Sequence, residues 1–190
     1  SGNNVSFVGA DSLASMLRTN ACLQELNLAF NNIGDTGASS IANALEFNKT
    51  LRWLSVRRNK IGNDGATAFA KSLPSMRGIK ELIMIKNCID QDGVNKLLKG
   101  LQCNMELENF HLDEIGLSDK VLHEIAHWIR LNRARRAIVR ETNLDHRLWA
   151  HVLAKPSVNK NHNVLFYFLV EKPEAFQQQR KRKLEGNSPI

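Results

Sequence analysis

Cysteine is scarce in this chain: Cys22, Cys88 and Cys103 are an odd set of three, with neither disulfide nor metal-ligand spacing. That excludes a disulfide framework, and the three read as reduced packing or surface thiols. Long apolar runs are also missing. The longest, Val164 to Val170, has seven residues, against about 20 for a bilayer-spanning helix, so no membrane segment is expected. No glycine-rich loop runs into Lys and Ser or Thr to cradle a phosphate, and no Ser or Cys stands with a recognisable base. These absences argue against an enzyme, and no cofactor and no metal is expected.

What the chain does have is a period. Folded back every 28 residues, it aligns Leu23, Leu51, Ile79 and Leu107, then Leu26, Leu54, Leu82 and Phe110, then Leu28, Val56, Met84 and Leu112. Asn31, Asn59 and Asn87 form the next column, followed by Ile33, Ile61, Ile89 and Leu117. A fixed period of roughly 20 to 50 residues marks a stacked repeat, in which each unit buries its apolar face only against its neighbours. Alternating apolar residues predict a short strand with one buried face, and the Asn predicts the turn that ends it. A turn follows, holding Gly34 and Gly37, Gly62 and Gly65, or Gly93, and then a helical stripe. Leu13, Ile41, Phe69, Leu97 and Ile125 lie four residues ahead of Leu17, Leu45, Leu73, Leu101 and Ile129. With Ala38, Ala42 and Ala66 beside them, they predict a helix packed closely on the strand layer.

The unit Leu-x-x-Leu-x-Leu-x-x-Asn-x-Ile, clearest from Leu23 to Gly34 and from Leu51 to Gly65, resembles the ribonuclease-inhibitor type of leucine-rich repeat. That long subtype also occurs in Nod-like receptors and Ran GTPase-activating proteins. The resemblance covers residues 1–132. It implies an α/β solenoid with parallel strands on a concave face, helices on the convex face, and an Asn amide that satisfies backbone groups between coils.

The ends of the repeat array are legible too. Asn3, Asn4 and Val5 stand 28 residues before Asn31, Asn32 and Ile33, so the chain opens in mid-repeat. This predicts the C-terminal part of a longer repeat protein. At the other end Ile115 occupies the Asn column and the turn Gly116-Leu117-Ser118-Asp119 lacks a second glycine, which predicts that the stack is ending. Residues 133–176 leave the period: Leu144, Leu148, Trp149, Val152 and Leu153 have helical spacing, and Val164 to Val170 is a second apolar element. They are assigned to a helical C-terminal cap.

Charge is lopsided. Residues 1–129 carry −1 and residues 130–190 carry +8, giving +7 for the 190-residue chain. The excess lies at Arg130, Arg133, Arg135, Arg136 and Arg140, read as a solvated helix face, and at Arg180-Lys181-Arg182-Lys183 within a polar tail, 177–190. The tail suits either solubility or nuclear import, so the expected compartment is cytoplasmic with a nuclear option. It is also the one feature that would suit nucleic acid, which is not the expected partner.

The sharpest chemical motif is His123-Glu124-Ile125-Ala126-His127. Two His at i and i+4 on a helix can share zinc while the Glu activates water, as in metallopeptidases. The repeat register opposes this reading. Ile125 and Ile129 hold the inward columns, which sends His123 to the column of Asp11, Ser39, Thr67 and Asn95, and His127 to that of Ser15, Asn43, Lys71 and Lys99. Both columns are polar, so both His should face solvent. Glu141, Asp145 and His146 are the nearest third ligands, none in a suitable context.

Function is therefore sought on the strand face. Its outward rows are Glu25, Trp53, Glu81 and Asn109; Asn27, Ser55, Ile83 and His111; Ala29, Arg57, Ile85 and Asp113; and, at the strand exits, Phe30, Arg58, Lys86 and Glu114. Trp53, Arg57 and Arg58 beside Ile83 and Ile85 combine the side chains that dominate protein-binding energy. The expected activity is a protein-binding scaffold, its partner another protein of unspecified identity and its oligomeric state open. The resemblance also implies an alternative, regulation of a small GTPase.

Overall fold

A computed structural model describes residues 2–113 and 117–140. The chain divides into two compact units, Ser1–Ala134 and Arg135–Ile190. The cap elements from Leu144 to Val170, the tail with Arg180–Lys183, Glu114, Ile115, and Glu141, Asp145 and His146 all lie outside the described residues.

The first unit repeats one motif. Helix α1 (Phe7–Thr19) is followed by β1 (Glu25–Asn27), α2 (Gly34–Leu45), β2 (Trp53–Ser55), α3 (Asn63–Ser72) with a 3₁₀ turn (Leu73–Ser75), β3 (Glu81–Ile83), α4 (Gln91–Cys103), β4 (Asn109–His111) and α5 (Asp119–Arg140). The strands form one parallel sheet in the order β1-β2-β3-β4. Its register pairs Leu26 with Leu54, Leu54 with Leu82, and Leu82 with Phe110, one 28-residue step at a time. α5 runs through position 132 and reaches Arg140.

The core sits between sheet and helices. Leu51, Leu54, Val56, Ile61, Phe69 and Leu73 are fully buried, and the outer coils contribute partly buried Leu23, Leu26, Phe110 and Leu112. Strand burial is thus most complete in the described coils that lie between two others. Neighbouring helices approach closely because they meet through Ala10, Ala14, Ala38, Ala42, Ala66 and Ala70, all buried.

One column of glycines has a different role from the turn expected of it. Gly37, Gly65 and Gly93 lie inside the first turns of α2, α3 and α4. A Cβ on Gly37 would come within 2.8 Å of the Ala10 methyl, and one on Gly65 within 2.7 Å of the Asp35 carboxylate. Close stacking, rather than backbone freedom, demands glycine here.

The Asn column performs as the repeat pattern implies. Asn31 Oδ1 accepts from the N–H of Asn3 (3.0 Å) and Val5 (2.9 Å), and Asn87 Oδ1 from Asn59 (2.9 Å) and Ile61 (3.2 Å). Asn59, fully buried, donates to the carbonyls of Leu28 (2.8 Å) and Arg57 (3.0 Å). Each amide joins two coils and satisfies groups the sheet cannot reach. A second Asn column, at positions 20, 48, 104 and 132, follows α1, α2 and α4 and falls within α5, and from position 48 on its amides also bridge coils. Asn48 donates to Leu17 O (2.7 Å) and accepts from Thr50 N (3.0 Å) and Leu51 N (2.8 Å). Asn104 and Asn132 donate to Leu73 O (2.7 Å) and Leu107 O (2.9 Å).

Candidate functional site

Three-residue strands leave a simple surface. With Leu54 and Leu82 turned into the core, the residues on either side of each point away from it. Glu25, Trp53, Glu81 and Asn109 stand in register across the strand entries, and Asn27, Ser55, Ile83 and His111 across the exits.

The face is less uniformly open than the pattern suggests. Glu25, Asn27, Phe30, Arg58 and His111 are exposed, whereas Trp53, Arg57, Glu81, Ile83, Ile85 and Asp113 are half-buried. Ser55 is buried. Its short side chain lies between the longer Asn27 and Ile83 in the same row, so it offers depth rather than contact. Ala29, the third-row residue of its coil, is buried as well.

Two groups form on this face. At the C-terminal side, Glu81 carboxylate oxygens accept from Asn109 Nδ2 (3.3 Å) and meet His111 Nε2 (3.2 Å). Arg133 of α5 bonds the Asn109 side chain and donates from Nε to Glu108 O (2.8 Å). Arg133, read from sequence as part of a solvated face, thus secures α5 to the entry of β4.

The second group lies just past the strands. The guanidinium carbons of Arg57 and Arg58 are 5.5 and 5.2 Å from the centre of the Phe30 ring, within cation–π range. Phe30 is 47% exposed, one of four large apolar side chains exposed among the described residues. Trp53 belongs to the same coil as the arginines but precedes Arg57 by four residues, up to about 13 Å along an extended strand. Within the expected patch, Trp53 stands at the strand entry and the aromatic–arginine group at the exit.

Backbone geometry explains how the second group is displayed. Gly2, Phe30, Arg58 and Lys86 all have positive φ, at 72°, 61°, 53° and 58°, and they are spaced 28 residues apart. Only the first is glycine. A left-handed turn at this column reverses the chain into the Asn-capped loop and throws the side chain outward. For a non-glycine residue it costs roughly 1–2 kcal/mol. Lys86 is exposed, and its N–H is accepted by the Asp113 carboxylate.

The zinc-like pair goes where the register sends it. His123 and His127 are exposed while Ile125 and Ile129 face the core. His123 Nδ1 donates to Asp119 O (2.6 Å), and the His127 ring meets Trp128 edge-on at 5.4 Å. Among the described residues no group of three or more His, Cys, Asp or Glu could hold a metal ion, and no helix is long and apolar enough to cross a membrane. All three cysteines are exposed and unpaired with one another.

Comparison with known proteins agrees with the architecture. The family profile described as "Leucine Rich repeat" matches residues 19–42 and 47–70. No curated protein sequence matches the chain. Among solved structures, one titled "Leiomodin-1 Actin-Binding Site 2 (ABS2)" is similar at 18% identity and a TM-score of 0.67, over 73% of this chain and 81% of that one. A tropomodulin C-terminal domain from Caenorhabditis elegans is 14% identical with a TM-score of 0.46, over 69% and 97% of the two chains. The repeats are leucine-rich repeats, and the described unit is an α/β solenoid built from them.

Proposed function

We propose that this leucine-rich repeat chain is a protein-binding module that engages its partner with the strand face. The observation that carries the reading is the exit group of Phe30, Arg57 and Arg58, joined on the same face by half-buried Trp53, Ile83 and Ile85. Aromatic and Arg side chains set in a partly apolar surface are the types that carry most binding energy at protein interfaces. A bound segment can cover Trp53 and Ile83 with little new ordering, since each stands between two neighbouring strands.

The leiomodin structure bears actin in its title, and that makes actin the first protein to test against this chain. Regulation of a small GTPase and zinc peptidase chemistry have no comparable group of described side chains in their favour. The test is co-sedimentation with filamentous actin alongside affinity capture of other partners, using the wild type, Trp53→Ala, Arg57→Ala and the helix-face control Lys71→Ala. Trp53→Ala and Arg57→Ala should each weaken capture by about tenfold or more, with Lys71→Ala unchanged. Loss of capture with Lys71→Ala, and none with the two strand-face changes, would move the site to the helices.

A further inference from the structure

Among the described residues Arg57 and Arg58 have no acidic partner. Among the described residues the ion pairs are Lys80–Glu106, Lys96–Asp92 and His111–Glu81, and neither arginine belongs to one. Arg57 is half-buried, and its Nε is sealed from solvent with no hydrogen-bond acceptor. A desolvated donor left unmade is unfavourable; with the Nε edge closed to incoming groups as it is to water, a carboxylate meets the terminal nitrogens of Arg57 and of exposed Arg58.

The surroundings share one sign. Arg58, Lys60 and Lys86 are all exposed next to Arg57 along the strand exits. Among the described residues the carboxylates of the same face are otherwise engaged or remote: Glu81 with His111 and Asn109, Asp113 with the Lys86 N–H, and Glu25 at the opposite, entry end of β1. Phe30 fixes the two guanidiniums in place, so little side-chain freedom remains to be lost on binding. Phe30, Arg58 and Lys86 place side chains at the left-handed column that glycine occupies at Gly2.

Resting on the strand-face reading, we propose that Phe30, Arg57 and Arg58 form a carboxylate-binding site for an acidic segment of a protein partner. An Asp or Glu side chain of that segment docks on the paired guanidiniums, and its apolar neighbours lie along Ile85, Ile83 and Trp53. Lys60 and Lys86 add long-range attraction that salt weakens.

The experiment is a selection from a random peptide display library on the purified chain, followed by fluorescence-anisotropy titration of the selected peptides. The peptides should be rich in Asp and Glu interleaved with apolar residues. Replacing their carboxylates with amides should weaken binding about tenfold or more, as should Arg57→Gln or Arg58→Gln. Arg57→Lys should fall between, because it keeps charge without the fork. Thermal melts of each variant separate lost binding from lost fold, and exposed Arg58 provides a variant that leaves the core untouched. Selected peptides without acidic residues that still depend on Trp53 would overturn the carboxylate site and leave the strand-face reading standing. Peptides indifferent to Trp53, Arg57 and Arg58 alike would overturn both. A labelled single-stranded oligonucleotide that outcompetes the peptides at Arg57 and Arg58 would reassign the site to nucleic acid.

Discussion

Phe30 and Arg58 occupy the same left-handed backbone position in adjacent repeats, and the Arg58 guanidinium lies 5.2 Å from the centre of the Phe30 ring. The repeat that strains the backbone at both residues is therefore also what brings their side chains together. Strain of this kind is retained where the surrounding structure over-determines it, and such positions gather at binding sites.

That coupling separates stability from function at one residue. Phe30→Gly removes the left-handed penalty of roughly 1–2 kcal/mol but gives back chain entropy in the unfolded state. Urea denaturation should place the variant within about 1 kcal/mol of the wild type. Binding of acidic peptides should nevertheless fall, since the arginines lose the ring they lie against.

Loss of an inter-coil amide should have the opposite profile. Asn59→Ala removes one donor each from the carbonyls of Leu28 and Arg57, which keep Asn31 Nδ2 and the Phe30 N–H, and takes the side-chain acceptor from the buried Ile33 N–H. An unsatisfied buried group costs about 1–3 kcal/mol, so urea denaturation should show a loss in that range. Asn48→Ala should cost a similar amount, because its side chain also bridges two coils.

Helix stacking makes its own prediction. A Cβ on Gly100 would sit 2.3 Å from the carbonyl oxygen of Ala70, an atom fixed in α3. Gly100→Ala should destabilise the chain by about 1–3 kcal/mol through forced separation of α3 and α4. Gly34 has open space around it and φ of +62°, so Gly34→Ala should lose only the roughly 1–2 kcal/mol of left-handed strain. Calorimetric melts of the two variants compare a packing constraint with a conformational one.

The N-cap of α4 should titrate. Asp90 accepts from Asp92 N (2.8 Å) and Gly93 N (3.3 Å). The Asn63 side chain first, then these two N–H groups, hold its carboxyl below the ordinary 3.8. With the folded-state value lowered, the cap's contribution is complete above the ordinary carboxylate range and is lost as pH falls through the lowered value. Protection factors for the first turn of α4, corrected for intrinsic exchange, should decline on the acid side of roughly pH 4. Asp90→Asn, still able to cap, should remove that dependence.

The repeat was legible from sequence because burial imposes it: Leu26, Leu54 and Leu82 face one core and must recur at one spacing. The same logic puts His123 and His127 on the solvent side, since Ile125 and Ile129 claim the inner face. The second Asn column was present at positions 20, 48, 104 and 132 but broken by Met76. There the chain turns instead through Leu73–Ser75, with Pro74 in its first turn. Contact between Phe30 and the arginines was not legible, because it depends on a left-handed backbone that Phe, Arg and Lys do not advertise. Nor was the burial of Ser55, which follows from the length of its neighbours rather than from its own polarity.

The most direct test of the strand-face account is photo-cross-linking with benzoylphenylalanine placed singly at Glu25, Asn27 or Lys86 on the strand side and at Asn43, Lys71 or Lys99 on the helices. All six positions are exposed. The account predicts partner adducts from the strand-side positions, abolished by Arg57→Gln with Arg58→Gln, and none from the helix side. Adducts confined to Asn43, Lys71 and Lys99, and indifferent to both arginines, would contradict it.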